Sequence, residues 1–231
     1  MKKIISFSLW GDLPTYNIGA IKNAILAKKY YSSFECWFYI HEESVPIETI
    51  NQLKGFENCK IILKTGDLSI VKPMMWRFEA IDDPDVEIMM SRDTDTRILQ
   101  REIVAVNEWL NSDKVFHIMR DHPHHTFCIL GGMFGTRKIA QIQNWKKCID
   151  NVNQVGMRDY DQDFLKTHIY PIIKNNSMIH ASFNNNEIHA QMFPIDYCSE
   201  LKFVGEYVYH DDSRSPEHIL ILKQNLQIKV A

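Results

Sequence analysis

Short apolar runs alternate with stretches of helical periodicity along most of this chain, and that alternation constrains the fold more than any other feature. Residues 3–9, 35–40, 60–63 and 86–90 are four such runs, the second reading Cys36-Trp37-Phe38-Tyr39-Ile40. They are too continuously apolar for strands with one wet face, so they predict strands covered on both sides. Between them lie helical patterns. Ile21, Ala24 and Ile25 predict a helix over 18–31. Pro46 and Gly55 mark the start and end of a second, and Pro73 opens a third through Met74, Trp76, Arg77 and Phe78. Strand–helix alternation of this kind predicts an α/β/α sandwich with a mostly parallel central sheet. Farther along, Leu99, Ile103, Val106 and Leu110 form one apolar stripe. Strands are expected at 115–119, 127–130, 177–181 and 202–208, and helices at 139–152, at 161–173 and from Ser215 to about Gln224. Asn184-Asn185-Asn186 reads as a loop tip.

The length of 231 residues suits a single domain. A net charge of −3 and the lack of any long Lys/Arg run argue against a nucleic-acid partner. The five cysteines, Cys36, Cys59, Cys128, Cys148 and Cys198, are scattered with no CxxC, which disfavours a disulfide framework or a zinc knuckle. The apolar run behind Lys2 and Lys3 is short and ends in Gly11-Asp12-Leu13-Pro14, so it reads as a buried first strand rather than a signal peptide. No stretch approaches the length of a transmembrane helix. These features lead us to expect a cytoplasmic enzyme.

The sharpest chemical signal follows the fourth run, where Val86-Glu87-Ile88-Met89-Met90 leads through Ser91-Arg92 into Asp93-Thr94-Asp95. Two carboxylates one residue apart, beyond the carboxyl end of a strand, lie where open α/β sheets bind ligands. They repel each other unless a cation lies between them, and Mg²⁺ or Mn²⁺ bound there takes further oxygens from a diphosphate. A charged turn in which Arg92 pairs with Asp93 and Arg97 with Asp95 is the plain alternative; the same arginines could instead steady phosphates.

These residues resemble a known family. The stretch from Trp76-Arg77-Phe78 through Ser91-Arg92-Asp93-Thr94-Asp95-Thr96-Arg97, Glu108-Trp109-Leu110 and His117-Ile118-Met119-Arg120-Asp121-His122-Pro123-His124-His125 to Gly131-Gly132-Met133-Phe134-Gly135 is similar to the small glycosyltransferases of chlorella viruses and some bacteria. So is the opening Ser6-Phe7-Ser8-Leu9-Trp10-Gly11. Asp161-Gln162-Asp163-Phe164-Leu165 resembles the DQDxLN element of glycogenin-like enzymes, with Lys166 in place of its Asn. The likeness spans about residues 1–175. It implies a GT-A-type nucleotide-binding domain over 1–231, with a donor-binding part at about 1–135 and an acceptor-side part at about 136–231. It further implies that Asp93 and Asp95 hold Mn²⁺ or Mg²⁺, and that Leu9, Trp10 and Gly11 line the base and ribose pocket. Arg77, Arg92, Gly131 and Gly132 would belong to the donor site. The donor would be a nucleotide-diphospho-sugar, uridine-linked, and the acceptor a hydroxyl of a glycan.

Other positions keep two readings. Arg120 and Asp121 either bond to sugar hydroxyls or phosphate or tie down an ordinary loop with the histidines after them, which lack the HExxH spacing of a zinc hydrolase. Gly131 and Gly132 either let backbone approach a ligand or form a plain turn. Asp161 and Asp163 start a helix, where capping is favourable anyway, and either could serve acceptor-side chemistry beside Asp121. His180 and His210 are candidates for a third metal ligand. Competing functions are a nucleotide-sugar hydrolase, a nucleotidyltransferase and a non-catalytic carbohydrate-binding module. The absence of Lys or Arg in Leu9-Trp10-Gly11-Asp12 weighs against the nucleotidyltransferase.

Overall fold

The computed structural model describes residues 1–139, 142, 144–151 and 159–230. Its centre is a sheet of seven strands, β1 (Lys2–Leu9), β2 (Glu35–His41), β3 (Cys59–Lys64), β4 (Val86–Arg92), β5 (Phe116–Arg120), β6 (Met133–Arg137) and β7 (Ser177–Ala181). Their spatial order is β3-β2-β1-β4-β6-β5-β7. Neighbouring pairs are parallel except around β6, which is antiparallel to both β4 and β5. The helices are α1 (Pro14–Tyr30), α2 (Ile47–Lys54), α3 (Pro73–Trp76), α4 (Gln100–Leu110), α5 (Trp145–Asp150), α6 (Tyr160–Phe164), α7 (Tyr170–Ile173) and α8 (Pro216–Val230). A 3₁₀ turn (Arg77–Asp82) extends α3, and a π turn (Leu165–Ile169) joins α6 to α7.

Strands β1, β2 and β4 are apolar because both faces are covered, whereas β3, expected to be covered too, is the sheet edge and has no buried residue. Ile5, Phe7, Leu9, Phe38, Ile40 and Met90 pack with Ala20, Ala24 and Ala27 of α1 and Ile103, Val106 and Trp109 of α4. Ile4, Trp37, Tyr39, Met89 and Ile118 point the other way, onto Met75, Trp76, Phe78, Trp145 and Phe164. Alternation along a strand assigns successive side chains to opposite layers. Each fully buried Leu, Ile or Phe contributes roughly 1.5–3 kcal/mol. The predicted α/β architecture is therefore the observed one.

Several local expectations change. The sixth strand is 133–137, not 127–130. Met133 and Phe134 slot between β4 and β5, and Gly135 is a strand residue against which the Trp109 ring lies too close for a Cβ. Only Gly131-Gly132 forms the turn. Residues 202–208 are not a strand. Gly205 has φ +78°, the Val204 N–H donates to the Asp121 carboxylate and the Val208 N–H to the Asp95 carbonyl, and Val208 makes only an isolated antiparallel bridge to Arg214. Helix α1 starts four residues early because Pro14 fits its first turn. Of the helix expected at 139–152, Trp145–Asp150 is helical, and residues 140, 141, 143 and 152 lie outside the described residues. The C-terminal helix runs past Gln224. All five cysteines are free, and among the described residues no helix is long and apolar enough to cross a membrane.

Candidate active site

The chain moves outward from β1 to β2 and β3, then returns to β4 on the other side of β1. The connections leaving β1 and β4 diverge there, which opens a crevice at the carboxyl ends of the strands. A cleft of about 570 Å³ occupies it. Leu9, Trp10 and Gly11 line one side, after β1, together with Leu13 and Tyr16 of the α1 start. Asp93, Thr94 and Asp95, after β4, form the floor. Gly131, Gly132 and Met133 come from the entry to β6, Asp159, Asp161 and Gln162 from the start of α6, and His125 from the loop after β5.

Arg77 ties the cleft together. One guanidinium nitrogen donates to Asp93 Oδ1, and the other donates to Asp161 Oδ2 at 3.0 Å. Its backbone N–H donates to Ser8 Oγ at 3.0 Å, which holds the 3₁₀ turn against β1. The side chain is almost wholly buried, whereas that of Asp93 is 39% exposed. Gly131 and Gly132 are bare for a reason: a Cβ on Gly131 would overlap Asp161 Oδ2 and crowd Arg77, and one on Gly132 would overlap Asp93 Oδ2. The glycine pair is thus what lets both carboxylates reach the same guanidinium.

Charge in the cleft is strongly unbalanced. Asp93, Asp95, Asp159 and Asp161 line it, against Arg77 as the sole lysine or arginine among its described lining residues. Burial and the neighbouring Asp93 push the Asp95 carboxyl up to about 7. Burial likewise pushes Asp161 up to about 6 although Arg77 pulls it down. Four carboxylates against one guanidinium leave the cleft short of positive charge. The donor set therefore fits a hard divalent cation. Among the described residues no three His, Cys, Asp or Glu side chains are grouped to hold a metal by themselves, so a cation on Asp93 and Asp95 would complete its shell with water or substrate oxygens.

Nine of the expected site residues meet at this cleft: Leu9, Trp10, Gly11, Arg77, Asp93, Asp95, Gly131, Gly132 and Asp161. The others do not line it. Arg92 is buried and pairs with Glu102, Nε to Oε1 at 2.8 Å, rather than with Asp93 or a phosphate. Arg97 pairs with Asp212 and donates to the Tyr209 carbonyl, so it anchors the loop at 209–212 and not Asp95. Asp121 is fully buried and accepts from Arg101 at 2.9 Å through both oxygens, from Ser182 and Tyr197, and from the Val204 N–H. Arg120 is paired with Glu187. Both side chains are buried against protein partners and neither lines the cleft. Asp163 is half-buried on α6, outside the cleft. His180 is buried in β7, hydrogen-bonded to His117 at 2.8 Å and to Glu108 at 3.2 Å. His210 is exposed, and its carbonyl accepts from Lys22.

Sequence reasoning missed Ser8, Tyr16, Asp159, Gly205 and Gly19. A Cβ on Gly19 would overlap the Thr94 carbonyl. A glycine inside a helical pattern is the signal that could have found it.

No protein-family model matches the sequence, and comparison with curated proteins found no match. Among solved structures, the chain is similar to a glycosyltransferase involved in the glycosylation of the major capsid of PBCV-1, with 18% identity and a TM-score of 0.49 over 78% of this chain and 81% of the other. It is also similar to 4-diphosphocytidyl-2C-methyl-D-erythritol synthase from Anaerococcus prevotii DSM 20548, with 12% identity and a TM-score of 0.49 over 98% of this chain and 99% of the other. Function accordingly rests on the chemistry of the cleft itself.

Proposed function

We propose that this chain is a metal-dependent glycosyltransferase that takes a nucleotide-diphospho-sugar, uridine-linked, and moves the sugar to a hydroxyl of a glycan. The observation that carries the reading is the cleft at the β1/β4 switch point, with four carboxylates and one guanidinium. Such a site repels a bare diphosphate and accepts one that arrives with a divalent cation.

Asp93 and Asp95 would hold Mn²⁺ or Mg²⁺, which when bound would neutralise the departing nucleoside diphosphate. Arg77 fixes the Asp93 carboxylate through Oδ1 and leaves Oδ2, beside Gly132, toward the cleft. Leu9, Trp10 and Gly11 cover the nucleoside, and the partly exposed Trp10 offers a ring face to the base. Asp161 is held by Arg77 and by the Gln162 N–H at 2.9 Å. A carboxylate so positioned favours the positive charge that develops on the sugar ring as the glycosidic bond breaks.

Calorimetric titration with UDP, GDP, CDP and TDP, with and without Mn²⁺, tests this. Binding of one diphosphate that needs the metal, is reversed by EDTA and is lost in Asp93→Ala and Asp95→Ala is the expected result. Folded wild type that binds no nucleotide under any metal condition would overturn it. Release of free sugar at full rate with no acceptor present would reassign the chain as a hydrolase.

A further inference from the structure

Resting on that reading, the geometry points to His125 as a specificity-determining residue: a neutral imidazole whose Nε2–H donates to an acceptor oxygen on the transferred sugar. The argument begins with the ring's other nitrogen. The backbone N–H of Asp121 donates to His125 Nδ1 at 2.9 Å. Nδ1 therefore carries the lone pair, and the proton of the neutral ring lies on Nε2. The ring is edge-on to Phe203, with centroids 5.9 Å apart, and Asn184 donates to the His125 carbonyl at 2.9 Å. The Nδ1 hydrogen bond and the Phe203 contact fix where the ring points. Nε2 has no hydrogen-bond partner among the described residues, while His125 lines the cleft.

Protonation would require Nδ1 to give up that hydrogen bond. Burial and the neighbouring His122, His124 and His218 oppose it further, and hold His125 down to about 3. The ring therefore stays uncharged through the whole working range. It cannot serve as a general base, because its one basic nitrogen is occupied by the main chain.

Strand order says which part of a ligand it meets. The cleft runs across the carboxyl edge from the β1 loop, past Asp93 and Asp95, to Gly132 at the entry to β6 and finally to the loop after β5 that holds His125. With the nucleoside at Trp10 and the diphosphate at the carboxylate pair, the sugar falls at the His125 end. A donor with no accepting capacity there selects sugars that place a hydroxyl oxygen against it, and penalises the deoxy analogue at that position.

The test compares wild type with His125→Phe and His125→Asn, using nucleoside diphosphate with Mn²⁺, a panel of nucleotide-sugars on that nucleotide, and their deoxy-sugar analogues. We expect both variants to keep diphosphate affinity within about twofold. His125→Phe should lose about five- to tenfold in kcat/KM for the preferred sugar, the value of one neutral hydrogen bond. It should lose nothing for one particular deoxy analogue, and His125→Asn should recover part of the loss. The pH profile should keep both limbs in each variant. Unchanged sugar discrimination in His125→Phe, or loss of a pH limb with kcat down a thousandfold, would overturn the assignment and leave the glycosyltransferase reading standing. Wild type that binds no nucleotide at all would remove the reading and this inference together.

Discussion

Gly132 lies against Asp93 with no room for a methyl group: a Cβ there would overlap the carboxylate at Oδ2. The acid proposed to hold the metal thus owes its position to a glycine on a different strand entry. Gly132→Ala should push Asp93 off Arg77. We expect metal-dependent nucleotide affinity to fall at least tenfold by calorimetry, with the far-UV circular dichroism spectrum unchanged. Wild-type affinity in this variant would show that the loop relaxes freely and that the contact does not position the acid.

Arg77 holds two carboxylates from separate elements, so its removal leaves them facing each other in a mostly buried site. Breaking a buried ion pair from one side costs about 3–5 kcal/mol. Arg77→Met should lower the urea midpoint accordingly. Arg77→Lys should recover only part of the loss, since a single ammonium cannot reproduce the two-pronged contact. Equal stability of the Lys variant and wild type would sink that account.

The carboxyl of Asp95, raised to about 7 by burial and Asp93, gives metal binding a defined pH dependence. A divalent cation needs the ionised form, so protons compete with it. Apparent Mn²⁺–nucleotide affinity should be constant above about pH 8. It should fall toward tenfold per unit as pH drops below 7, since one proton must leave. Asp95→Asn should bind more weakly and lose this slope. A slope that survives in Asp95→Asn would assign the proton to another group.

Asp121 accepts hydrogen bonds from Arg101, Ser182, Tyr197 and the Val204 N–H, and through the last of these it holds the loop of residues 202–208. Asp121→Ala leaves Arg101 buried without its partner and should cost about 3–5 kcal/mol in chemical denaturation. The folded fraction should still bind nucleotide with wild-type stoichiometry. A fully stable variant that has lost only turnover would instead make Asp121 a catalytic group.

Much of this molecule is local information. Short apolar runs and period-3.6 patterns survive in the order of residues, so the strands from Lys2–Leu9 to Val86–Arg92 and the apolar stripe of Gln100–Leu110 were legible before any coordinates. The Asp93-Thr94-Asp95 element was legible too, because it directly follows an apolar strand. Pairing across the chain was not. The choice of Arg77 as the partner of Asp93 and Asp161, and of Glu102 as the partner of Arg92, spans separations that no spacing rule encodes. Residues 127–130 are as apolar as a strand, and 133–137 contain the glycine of one. Only the slot between β4 and β5, with the Trp109 ring pressed on Gly135, decided between them. The sequence by itself determined which segments could be strands, which could be helices, and that two acids would stand at a strand end. Tertiary structure decided which charges are spent inside the protein and which face the cleft. A buried charge must find its partner in three dimensions, and the low dielectric around it makes that search decisive.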